Sequence, residues 1–245
     1  MDKALSVSGT QGVEEITSDD LFLNADDLSA QVHETQSNQA RFIIAFDATG
    51  SMGSYWSSAK EALGKTIEEI SVRCGGKVSV QMVAYRDDND APRDIEFSTF
   101  TSNASQLKEF ISKQHCFGGD DYEEAIDTAL NHILKENPSR SILLGDAPAH
   151  TNVQGRDGYS QARKLGLASS PVFTLRCDER RDLVDNFGRI AELSGGKSFA
   201  LTNIADMVDI IATIIASDKK LLRACAGLIA YEPKSEAAKA IAKEL

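Results

Sequence analysis

The sequence predicts an α/β fold, a mostly parallel sheet covered by helices on both faces, and three observations carry that prediction. Short apolar runs alternate with stretches whose apolar residues recur every three or four positions, the rhythm of buried strands joined by amphipathic helices. Two of the runs, 42–46 and 141–145, are nearly free of polar residues, as strands buried on both faces must be. Each of those two runs stops at an aspartate, Asp47 and Asp146. In such sheets ligands bind beyond the carboxyl ends of the strands, so both acids fall on the edge where function is expected.

The chain of 245 residues is long enough for one large domain with appendages, and its 42% hydrophobic content supports a sizeable core. The net charge of −11 is unevenly spread. Residues 1–40 hold eight acids against Lys3 alone, so the excess belongs mainly to an acidic arm over 1–38, read as flexible. Its one apolar patch is Leu21-Phe22-Leu23, beside a short helix from Ser18. No basic patch favours nucleic acid, and no run is long and apolar enough to span a bilayer. Met1 begins no basic-then-apolar secretory pattern, and Cys74, Cys116, Cys177 and Cys225 are too dispersed for a paired framework. Buried free thiols and a reducing, cytoplasmic location are the expectations.

The elements follow in order. After 42–46 come Asp47, Thr49 and Ser51 among glycines that release the chain into a turn. Trp56, Ala59, Leu63, Ile67 and Ile70 then mark one face of a helix that Gly75-Gly76-Lys77 stops. Residues 78–85 form the next strand, and 95–100 an edge strand beyond the acidic loop 86–92. Ser102 or Asn103 caps a helix to about Gln114. Gly118-Gly119-Asp120-Asp121 opens another helix, at whose start the dipole favours an anionic side chain. A strand over 141–145, a helix over 157–167, a strand over 172–177 and a helix over 181–193 complete the alternation. Gly195-Gly196-Lys197-Ser198 lacks the earlier glycine of a phosphate-binding loop and reads as a helix stop before the last strand. A strongly apolar helix over 204–215 ends the domain, 39–217, and 218–245 is a helix-prone extension broken at Pro233.

Asp47-x-Thr49-x-Ser51, Gly118-Gly119-Asp120 and Asp146 together resemble the metal-ion-dependent adhesion site (MIDAS) of the von Willebrand factor type A (vWA) family. Ala84-Tyr85-Arg86-Asp87, Glu123 and Gly145-Asp146-Ala147-Pro148-Ala149-His150 bring the resemblance nearest to vWA domains found with alpha-kinases and their bacterial relatives. It implies a Rossmann-like, doubly wound sheet of six strands in the order 3-2-1-4-5-6, with one antiparallel edge strand. It also implies that Thr49 and Ser51 ligate a divalent metal directly, with Asp47 and Asp146 as orienting or water-bridged acids. Asp120 stands where threonine is usual, and Asp121 is the alternative by a one-residue shift. Mg²⁺ is the expected ion, with Mn²⁺ or Ca²⁺ as alternatives, since hard cations take oxygen ligands.

The function expected from these readings is a non-catalytic, metal-dependent protein-interaction module. A partner's Asp or Glu would meet the metal, within an intracellular complex with a kinase or ATPase. The loops 86–92 and 148–158 would set specificity, with Asp87, Asp88 and Asp90 on the rim. Two alternatives stand beside it: a metal-dependent phosphohydrolase using Asp47 and His150, and a scaffold with only a structural metal. Oxygen-rich surroundings make His150 a hydrogen-bonding residue rather than a metal ligand.

Overall fold

The first apolar run forms β1, Ala40–Asp47, at the centre of a six-stranded sheet. The computed structural model describes residues 40–87, 93–119, 122–153, 156–218 and 231–245. The acidic arm, its Leu21-Phe22-Leu23 patch and the helix from Ser18 lie outside the described residues. The remaining strands are β2 (Val78–Tyr85), β3 (Ile95–Phe97), β4 (Arg140–Gly145), β5 (Val172–Arg176) and β6 (Ser198–Ala200). They lie in the order 3-2-1-4-5-6, parallel throughout except where β3 runs antiparallel to β2. A separate hairpin pairs Thr151–Val153 with Arg156–Asp157.

Seven helices are described: α1 (Gly53–Cys74), α2 (Ala104–Lys113), α3 (Ile126–Glu136), α4 (Gly158–Leu167), α5 (Arg181–Ser194), α6 (Met207–Ala216) and α7 (Glu236–Glu244). Side chains alternate across a strand, so β1 feeds two cores. Phe42, Ile44 and Phe46 pack with Trp56 and Leu63 of α1, Leu107 of α2, Ile211 of α6 and Ile241 of α7. Ile43 and Ala45 face the other way, to Ile133 of α3, Leu165 of α4 and Phe187 of α5. Burial on both faces is why this strand carries no polar residue between Arg41 and Asp47.

Local chemistry sets the helix ends. Asn103, Asp157 and Ser235 each accept backbone N–H bonds at the start of α2, α4 and α7. Gly75 and Gly195 end α1 and α5 in the left-handed conformation, with φ of 53° and 84°. The two Gly-Gly-Lys sequences are therefore helix stops.

Several expectations change. The edge strand is three residues long, because beyond Phe97 the chain leaves the ladder and touches β2 again only through the Val80–Thr101 bridge. A turn of 3-10 helix, Ile204–Asp206, precedes α6. The helix expected to open at Asp120 begins instead at Ile126. Residues just before it are engaged elsewhere: the Glu124 N–H donates to the Pro148 carbonyl (2.9 Å) and Ala125 N–H to Arg86 (2.9 Å). Those long-range bonds outcompete another helical turn.

The last helix packs on the main body. Ala238 and Ile241 are buried with α6, and Asp209 of α6 accepts from the Tyr231 hydroxyl and the Lys234 and Ser235 N–H groups. No helix among the described residues is long and apolar enough to cross a membrane.

Candidate functional site

Parallel pairing of β1 with β4, Phe46 opposite Leu144, brings the ends of both strands side by side. Asp47 is the last residue of β1, and Asp146 follows the last residue of β4. After Asp47 the chain turns sharply through Gly50–Met52 into α1, which returns Thr49 and Ser51 over the sheet edge. Asp47 Oδ1 accepts from the Thr49 N–H (2.8 Å) and the Thr49 hydroxyl (2.6 Å). The Ser51 hydroxyl donates to Asp146 Oδ1 (2.8 Å).

The two hydroxyl oxygens also lie 3.0 Å apart, a hydrogen bond in which either can donate. Two hydroxyls held this close beside two carboxylates suit a hard cation. The acids make the same point: Asp47 is fully buried, and its Oδ2 has no hydrogen-bond partner among the described residues. Burial, and then the neighbouring charge of Asp146, push the Asp47 carboxyl up to about 7. Two carboxylates and two hydroxyls form a hard oxygen donor set, which fits Mg²⁺, Mn²⁺ or Ca²⁺. Among the described residues no group of three or more His, Cys, Asp or Glu is arranged to hold a metal.

Close packing under the acids depends on Gly145. A β-carbon there would lie 2.4 Å from the Tyr85 hydroxyl and 3.2 Å from Asp47 Oδ2. The Tyr85 hydroxyl donates to the Leu144 carbonyl (2.8 Å). Burial, then the charges of Asp47, Glu124 and Asp146, hold that phenol well above its ordinary range.

The turn after β1, residues 48–52, is called loop one, the segment from Phe117 toward Tyr122 loop two, and the segment after Asp146 loop three. Loop two docks on loop one by backbone bonds, Phe117 N–H to Ala48 carbonyl (3.2 Å) and Gly50 N–H to Gly118 carbonyl (3.3 Å). Four of the five residues expected at the site, Asp47, Thr49, Ser51 and Asp146, are thus brought together. The fifth, Asp120, and its alternative Asp121 lie outside the described residues.

Arg86 and Asp87 are not rim residues. Both are fully buried, and Asp88 and Asp90 lie outside the described residues. The Arg86 guanidinium bonds Glu96 (2.9 Å), the Arg93 carbonyl (2.9 Å), Gln114 (3.1 Å) and the His115 carbonyl (3.2 Å), and lies 4.2 Å over the Phe117 ring. It therefore ties the edge strand to loop two, a positioning role that sequence reading missed. A lone arginine directly after an apolar strand was the available signal. His150 is buried as well; Nδ1 contacts Glu123 (3.2 Å), and Nε2 is 4.0 Å from Asp87. Loop three is consequently packed inward over 147–150 before its hairpin.

Cys74 is a buried free thiol, as expected, but free Cys116 and Cys177 are only partly covered, and Cys225 lies outside the described residues. Burial, then Asp47, push the Cys116 thiol up to about 11. The exposed rim near Asp146 carries Tyr122, with the Arg180 guanidinium 4.7 Å over its ring and donating to the Asp146 carbonyl.

No protein-family model matches the chain. Over 132 residues it is 30% identical to the putative ariadne-like RING finger protein R811 of Acanthamoeba polyphaga mimivirus, covering 53% of this chain and 13% of that protein. The chain therefore spans about an eighth of that relative's length. Similar solved structures include a von Willebrand factor type A protein from Catenulispora acidiphila (TM-score 0.50, 17% identity, 70% of this chain and 41% of that one). The SpRpn10 VWA domain matches at TM-score 0.50 with 11% identity, over 70% of this chain and 94% of that domain. The pilus adhesin SpaC of Lactobacillus rhamnosus GG matches at 0.54 with 12% identity, over 77% and 30%. At these identities the likeness concerns the fold, and the sheet order with its antiparallel edge strand is that of the vWA fold.

Proposed function

We propose that this chain is a non-catalytic, divalent-metal-dependent protein-interaction module. One observation carries the reading: Asp47, Thr49, Ser51 and Asp146 form a hydrogen-bonded chain with its two hydroxyl oxygens 3.0 Å apart, beside a buried Asp47 Oδ2 that has no hydrogen-bond partner among the described residues. Thr49 and Ser51 would hold the ion, with Asp47 and Asp146 supplying charge and orientation and Asp120 completing the set from loop two. When bound, the ion supplies an electrophilic position for a partner's Asp or Glu carboxylate. The exposed Tyr122 and Arg180 are residue types that anchor protein interfaces.

The match to a short stretch of a much longer RING finger protein supports a module used inside larger assemblies. A cytoplasmic complex with a kinase or ATPase, as the alpha-kinase-type resemblance implies, is part of the proposal. The contact of His150 with Glu123, beside Asp87, supports a structural histidine over a phosphohydrolase base.

Calorimetric titration with Mg²⁺ tests the reading, alongside melting in EDTA. Wild-type protein should bind one ion and melt higher with it, and Asp47→Ala should bind about 100-fold more weakly or not at all. Identical melting of the wild-type chain in EDTA and in Mg²⁺, with no heat of binding, would overturn it.

A further inference from the structure

We propose that a cleft beside the candidate cation site receives an arginine side chain of the protein partner; the idea rests on the interaction reading above and names the chemistry of a second contact. The cleft has a volume of about 480 Å³, within the range of small-ligand sites. Tyr122 and Glu123 line it from the segment leading to α3, Tyr159 from α4, and Asp182, Asp185 and Asn186 from α5. Two phenol rings and three carboxylates, with no Lys or Arg among the described lining residues, suit a flat cation.

The chain already displays this chemistry at the rim. The Arg180 guanidinium lies 4.7 Å over the Tyr122 ring, and its Nε is 2.8 Å from Asp178. A guanidinium on a tyrosine face with a carboxylate at its edge is thus an arrangement these surroundings hold. Arg180 is itself committed elsewhere, to Asp178 and to the Asp146 carbonyl. The other nearby cations leave the cleft's charge largely in place. Arg181 is 3.8 Å from Asp185 with both side chains mostly exposed, a pair that water screens, and Arg189 bonds Glu192. Glu123 meets His150, so Asp182 and Asp185 are the acids offered to a ligand. The Tyr122 hydroxyl bonds Asp182 and holds its carboxyl below the ordinary range, so this acid is ionised at neutral pH. One wall is firmly set: buried Asn186 exchanges bonds with the Ala149 backbone (3.0 and 3.2 Å) and donates to the Tyr159 hydroxyl (3.4 Å). Arg180 also shows how near the two sites are, since it touches both the Asp146 carbonyl and the Tyr122 ring. A partner whose carboxylate meets the ion lies beside this cleft, and an arginine there finds rings to stack on and carboxylates to bond.

Titration of the full chain in EDTA, with its tyrosine rings labelled with ¹³C, tests the subsite; the probe is Nα-acetylarginine amide. Binding should be saturable in the millimolar range and shift the Tyr122 and Tyr159 ring signals. Tyr55, exposed on α1 and outside the cleft, should not move. Nα-acetylcitrulline amide, of the same shape without the charge, should bind about tenfold more weakly or not at all. The double variant Asp182→Asn, Asp185→Asn, at two exposed positions that the fold does not need, should bind the arginine probe about fivefold more weakly. Glu109→Gln, on exposed α2 surface, should bind it as wild type does. Equal shifts by the citrulline probe, wild-type affinity in the double variant, or no saturable shift at all would each overturn the proposal. EDTA keeps this outcome separate from the ion. Arginine bound by a chain that takes no Mg²⁺ removes the metal reading alone, and Mg²⁺ bound by a chain that takes no arginine removes this inference alone.

Discussion

Asp47 and Asp209 are both buried acids at the ends of regular elements, yet their surroundings are opposite. Asp209 is surrounded by donors: the Tyr231 hydroxyl and the Lys234 and Ser235 N–H groups. Burial opposes its charge, but those bonds prevail and hold the carboxyl below its ordinary range. Asp47 has Thr49 on one oxygen, nothing among the described residues on the other, and Asp146 as neighbour. Its carboxyl is pushed up to about 7 by burial and then by that second charge. A buried acid with all its partners inside the chain fastens structure. A buried acid left short beside another acid keeps capacity for something from outside.

Paired substitutions should separate the two roles most sharply. Asp209→Asn is expected to cost about 2–3 kcal/mol whether or not metal is present, because buried donors lose their acceptor. It should also open the segment ahead of α7 to proteolysis. Asp47→Asn should do the reverse, raising the melting temperature in EDTA and abolishing the rise produced by Mg²⁺. Chemical denaturation with limited proteolysis checks both, and a metal-independent loss in Asp47→Asn would erase the contrast.

The same comparison predicts opposite pH slopes. Asp47 in the folded chain binds its proton more tightly than the unfolded chain does, so its contribution is present at low pH and lost as pH rises. In EDTA, stability should therefore fall by about 4 kcal/mol as pH rises from about 4 through 7, and Mg²⁺ should flatten that slope. The contribution of Asp209 has the other sign, present above its unfolded value and lost as pH falls through its lowered folded value. Asp47→Asn and Asp209→Asn should each remove one limb of the stability–pH curve.

A smaller effect tests how tightly the sheet edge beneath Asp47 is packed. Gly145→Ala should cost about 1–2 kcal/mol by driving a methyl group into the Tyr85 hydroxyl. Tyr85→Phe in the same chain should recover part of that loss, read as non-additivity in a double-mutant cycle. Additive losses would show that the clash is absorbed elsewhere.

Much of this molecule is written in short-range patterns. Alternation of apolar runs with 3.6-residue periodicity determined the α/β sheet, and acids closing two buried runs placed Asp47 and Asp146 on one edge. Hydroxyls two and four residues beyond Asp47 fell with them, because a tight turn returns nearby residues to the strand end. Helix stops at Gly75 and Gly195 were equally legible, since left-handed backbone is a local demand. Other features depended on contacts between distant segments, which no local period records. Only the tertiary structure decided that α3 starts at Ile126, because Pro148 and Arg86 claim the backbone before it. Only it decided that Arg86 is a buried tie and not a rim residue, because its partners at Glu96, Gln114 and His115 arrive from other elements. The burial of Glu124 belongs to the same class: charge at a position is visible in a sequence, but what covers it is set by distant segments.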